Sequence, residues 1–153
     1  MAQETQKLLL DIDEDGRWET ASNFDYGKLQ TQVLDLINEL GRTFNLNFIL
    51  DDQVQDASFF ADIKIPHELV INPRTDIGYS IRISNYGNLS TINFHEEYSE
   101  STTNTFIDTL ERSGFVYVNA DELDVDYNGT FEKFQNSQSG AKPSWYIRFF
   151  DYL

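Results

Sequence analysis

Residues 79–94 read YSIRISNYGNLSTINF, and this stretch decides the fold. Tyr79, Ile81 and Ile83 alternate with Ser80, Arg82 and Ser84, the period-two pattern of a strand with unlike faces. Asn85-Tyr86-Gly87-Asn88 carries turn chemistry, and residues 89–94 return to β-forming side chains. An antiparallel hairpin at mid-chain follows, with sheet expected on both sides of it.

Working outward toward the N-terminus, residues 59–65 alternate again until Pro66, which has no N–H to extend a ladder. Residues 45–50 alternate before the Asp51-Asp52 turn, and residues 68–72 read as a brief strand. Leu29, Val33, Leu36, Ile37, Leu40 and Phe44 recur at helical spacing, with Gln30, Gln32, Asp35, Asn38 and Glu39 opposite. This predicts a helix over 25–43, capped by Ser22, Asn23 or Asp25 and stopped near Gly41. Residues 8–13 and 17–20 read as an N-terminal hairpin around Glu14-Asp15-Gly16.

Toward the C-terminus, Phe106, Ile107 and Leu110 predict a second helix over 102–113 that stops at Gly114. Residues 115–118 read as a strand, 136–143 as a polar loop, and 145–153 as a terminal strand pairing within the sheet. The expected fold class is α+β: a mostly antiparallel sheet of about five to seven strands with two main helices packed on one face. Loops or a partner are left to cover the other face. At 153 residues, the chain is expected to form a single acidic globular domain over 1–153.

Charge narrows the function. Asp and Glu number 26 against 11 Lys and Arg, a net charge of -15, so the surface repels phosphate backbones and anionic lipid and attracts basic proteins. Direct nucleic-acid and membrane partners are thereby disfavoured. The absence of Cys removes disulfides, thiolate metal sites and thiol nucleophiles. Residues 1–7 carry no basic run leading into a long apolar stretch, and a cytoplasmic protein is expected. There is no Gly-x-Ser-x-Gly elbow, and the eight glycines are scattered singly, so a non-enzyme is expected.

Within 95–126, nine acids face one base, Arg112: Glu96, Glu97, Glu100, Asp108, Glu111, Asp121, Glu122, Asp124 and Asp126. Tyr98, Tyr117 and Tyr127 are interleaved with them as candidate apolar anchors. The expected function is a non-enzymatic acidic module that docks on a basic, nucleic-acid-binding or nuclease-like protein and neutralises it, the type of action of immunity proteins and inhibitors. Two alternatives stand beside it. Asp11-x-Asp13-x-Asp15-Gly16 resembles the opening of an EF-hand calcium loop, with Glu19 at its ninth position. Ser22 occupies the twelfth position, where that family has a bidentate Glu, so a calcium-responsive domain would lack its strongest ligand. The other alternative is a small structural protein that self-associates through its aromatics. Calcium apart, no cofactor is expected, and His67 and His95 read as surface histidines.

Overall fold

In the computed structural model, which describes residues 1–137 and 140–153, the chain opens on α1 (Gln3–Ile12) and α2 (Tyr26–Phe44). Strands β1 (Ile49–Asp51), β2 (Phe59–Lys64), β3 (Ser80–Ser84) and β4 (Leu89–Ile92) follow, then α3 (Glu100–Arg112) and β5 (Val116–Tyr117). Short helices α4 (Ala120–Leu123), α5 (Glu132–Gln135) and α6 (Trp145–Phe150) complete the chain. Single 3-10 turns stand at His67–Leu69 and His95–Glu97.

The hairpin forms as its alternation predicts, with Ile81 opposite Ile92 and Ile83 opposite Ser90. One five-stranded sheet runs in the order β1-β2-β3-β4-β5. Its first four strands are antiparallel, and β5 lies parallel to β4. The parallel step has a plain cause: α3 carries the chain back across the sheet, as a parallel pair requires. The fold is therefore α+β, with a mixed but mostly antiparallel sheet.

One face of the sheet carries Ala61, Ile63, Ile81, Ile83 and Ile92. They pack beneath Leu29, Val33, Leu36 and Leu40 of α2 and Phe106 and Leu110 of α3, which are the two main helices expected. Asp25 caps α2 by accepting a hydrogen bond from Lys28 N at 3.1 Å. The helix runs through Gly41 and stops at Asn45, which takes the left-handed conformation at φ 52°. Gly41 serves a different need, since a Cβ there would stand 3.3 Å from the Leu46 carbonyl oxygen.

The opposite face is polar and meets α6. Arg82 donates to Asp62 at 2.8 Å and to the Phe150 carbonyl at 2.9 Å, and Ser84 donates to the Phe149 carbonyl at 2.7 Å. These side chains satisfy terminal helix carbonyls that have no partner within the helix. Beyond them a second core gathers Leu9, Tyr86, Leu89, Trp145 and Phe149 with residues from α4, α5 and their flanks.

Three expectations change. Residues 8–12 are helical and 17–20 hold bends instead of a strand, so the expected N-terminal hairpin is replaced by a helix, because Leu9 and the capping Asp13, four residues apart, both turn inward. The terminal segment is a helix: Trp145, Arg148 and Phe149 share an i, i+3, i+4 face, and Ser144 caps it by accepting from Ile147 N at 3.2 Å. Residues 68–72 hold the end of a 3-10 turn and a single bridge from Val70 to Tyr98, since Pro66 starts the turn. The expected loop over 136–143 includes 138–139, which lie outside the described residues. Among the described residues no helix is long and apolar enough to cross a membrane.

Candidate functional site

An acidic cleft forms where the chain leaves β4 and returns through β5. Phe94 adopts the left-handed conformation at φ 57° and swings the chain into the His95–Glu97 turn, which leaves Phe94 itself 43% exposed. Beyond β5, Asn119 caps α4 by accepting from Asp121 N at 2.8 Å. That cap sets Asp121 in the first turn of α4 and Asp124 at its end. Glu96, Asp121 and Asp124 consequently line one cleft of about 380 Å³ with Phe94, His95 and Tyr146.

His95 Nε2 lies 3.1 Å from Asp121 Oδ2 and 3.4 Å from Glu96 Oε2, so a protonated imidazole would pair with both carboxylates. Neither contact is aligned as a hydrogen bond. The Tyr146 hydroxyl is engaged, donating to Asn93 Oδ1 at 2.8 Å, and burial holds its pKa above the ordinary phenol value. Among the described residues no Lys or Arg lines the cleft. The cleft thus has room and negative charge for a basic side chain from outside.

The remaining acids are dispersed. Glu100 and Asp108 line a shallow groove along α3 with Ser101, Asn104 and Thr105, and Asp108 lies 3.5 Å from Arg112. Glu111 and Asp126 are exposed, and Asp126 bridges Ser144 through the backbone. Glu97 is half-buried, and Glu122 turns toward α1, accepting from Ala2 N and Thr5 Oγ1 at 3.1 Å each. Three of the nine predicted acids converge.

The predicted tyrosine anchors are corrected. Tyr98 is 4% exposed in the first core and Tyr127 1% exposed in the second, so neither presents a ring to a partner. Tyr117 is half-buried, and burial, reinforced by Asp121 and Glu122, pushes its hydroxyl up to about 12. The aromatic at the cleft is Phe94, which sequence reasoning passed over because it closes an apparent strand.

The calcium reading is corrected as well. The side chains of Asp13 and Arg148 are fully shielded from solvent and pair at 2.8 Å. Asp13 also accepts from the Tyr127 hydroxyl and from Thr130 N, the latter at 3.0 Å, so its oxygens are committed. Arg148 donates further to the Tyr86 hydroxyl at 3.2 Å and to the Glu14 carbonyl at 3.0 Å, with four aromatic rings around it. Asp11 sits in the helix α1 rather than in a loop, and Asp15 and Glu19 are exposed without converging on Asp13. Among the described residues, no group of three or more His, Asp and Glu side chains is placed to hold a metal ion. Comparison with models of known protein families, with curated proteins and with solved structures finds no match to this chain.

Proposed function

We propose that the protein is an acidic docking module that binds a basic protein and neutralises it by covering the surface with which that partner meets nucleic acid, in the manner of inhibitors and immunity proteins. The observation that carries this reading is the cleft beside His95, where Glu96, Asp121 and Asp124 converge around the exposed ring of Phe94 with no Lys or Arg among them. A net charge of -15 steers a basic partner from a distance, and the cleft offers it a local charge match with an apolar contact. The module acts by occlusion, and no bond is made or broken at the cleft.

The test is amide-resolved NMR titration with a lysine-rich peptide, comparing the native chain with Asp121→Asn/Asp124→Asn. Saturable shifts at residues 94–97 and 120–124 are expected. The double variant should bind about tenfold more weakly, a loss of about 1.4 kcal/mol. Affinity should also fall steeply as salt rises through the range where the screening length shrinks from about 30 to about 8 Å. Binding that ignores both the variant and the salt would overturn the reading.

A further inference from the structure

A second cavity, of about 400 Å³, opens between the N-terminal end of α2 and the start of β2. Its wall is aromatic. Tyr26, the first residue of α2, lies 5.3 Å from Phe60 with the rings tilted by 59°, and Phe24 lies 6.4 Å from the same ring. Tyr26 is 54% exposed, a large aromatic residue that the fold leaves partly uncovered. Glu19, Asp52 and Asp56 form the rim, and among the described residues no Lys, Arg or His lines the cavity. Among the described residues none of these three carboxylates takes part in an ion pair.

Aromatic wall and acidic rim together select the occupant. An apolar side chain would desolvate three carboxylates with nothing to answer them, and an anion would be repelled. A cation over the ring faces gains from their quadrupoles, and the carboxylates neutralise it. Between the two basic side chains, the planar guanidinium stacks on Tyr or Phe and donates to two carboxylates in one plane, which a compact ammonium does not do. The chain already stacks a guanidinium in this way: Arg82 lies 3.9 Å above the Phe59 ring while paired with Asp62.

We propose that this cradle takes an arginine side chain of the protein partner, held over Tyr26 and neutralised by Asp52 and Asp56. The inference rests on the basic-partner reading but uses residues separate from the cleft beside His95. It adds the second point of attachment and the identity of the side chain that fills it.

The experiment is an amide-resolved NMR titration with the capped tripeptide Gly-Arg-Gly and, in parallel, capped Gly-Lys-Gly. Saturable shifts at Thr20, Tyr26 and residues 54–57 are expected with the arginine peptide, at least threefold weaker binding with the lysine peptide, and loss of the shifts in Tyr26→Ala. Tyr26 is exposed, so that variant should fold; Asp52→Asn/Asp56→Asn is the second probe, and Asn tolerates the left-handed backbone of Asp56 at φ 54°. Shifts confined to residues 94–97 and 120–124 would overturn the cradle and leave the cleft standing, whereas shifts at the cradle alone would support the cradle and count against the cleft. Equal response to both peptides, response unchanged in Tyr26→Ala, or no saturation anywhere would overturn the arginine site.

Discussion

Arg148 is fully buried, and its guanidinium holds the equally shielded carboxylate of Asp13, the Tyr86 hydroxyl and the Glu14 carbonyl in a single network. Removing one member of a buried pair strands the other. Arg148→Met should therefore destabilise the fold by about 3–5 kcal/mol, with Asp13→Asn/Arg148→Met recovering part of the loss. Urea unfolding followed by tryptophan fluorescence checks this, and equal losses in both variants would mean that packing, not charge, holds the site. Tyr98 makes the opposite case. Its hydroxyl is buried without a partner among the described residues, and burial holds its pKa far above the ordinary value. Tyr98→Phe should stabilise by about 1 kcal/mol in the same assay, because an unpaired buried hydroxyl costs desolvation and returns nothing. A loss would show that the hydroxyl has a partner. At this scale the candidate site was half legible. The acids of 95–126 were visible as charge, but which of them converge depends on the backbone turn at Phe94 and the cap at Asn119, and spacing does not encode either.

At the scale of elements, the amphipathic stripe of α2 and the alternation of β2 and β3 were readable, because each buries one face and exposes or hydrogen-bonds the other. The two ends of the chain misled for one shared reason. In 145–153 the aromatics favour strand, and the helical face contains Arg148, which ordinarily marks a solvent side. At the end of α1 the inward-facing residue is its cap Asp13, equally unlikely in a core, so the three successive leucines before it looked like a strand. Each misleading residue is the other's partner. A helix of six residues depends on its cap more than on its length, and Ser144→Ala should cost about 1 kcal/mol by removing the bond from Ile147 N. Chemical denaturation measures the loss; amide exchange should quicken across α6 before it does so in α2.

For the molecule as a whole, self-repulsion of -15 charges opposes the compact state. Salt should raise the urea midpoint between about 0.01 and 0.15 M, as the screening length falls from about 30 to about 8 Å. Alkali should do the reverse. Tyr117 is pushed up to about 12 from an ordinary value near 10.0, so the folded state keeps a proton that the unfolded chain has released. Stability from this group is complete below pH 10.0 and falls as pH rises toward about 12. Tyr86, Tyr98, Tyr127 and Tyr146 are raised in the same direction, each chiefly by burial, and steepen the decline. Absorbance titration of the phenols beside a thermal melt series measures both quantities.

The ion pair at the centre of the second core also sets an order of events. Asp13 and Arg148 stand 135 residues apart in the chain. During synthesis, at about 5–20 residues per second, Asp13 leaves the ribosome on the order of ten seconds before its partner exists. Burying an unanswered carboxylate in an apolar core is costly, so through that interval α1 is expected to stay undocked with Asp13 hydrated. The docking of α1 is therefore expected to wait for α6 and to be a late step of folding, although its residues precede those of the sheet.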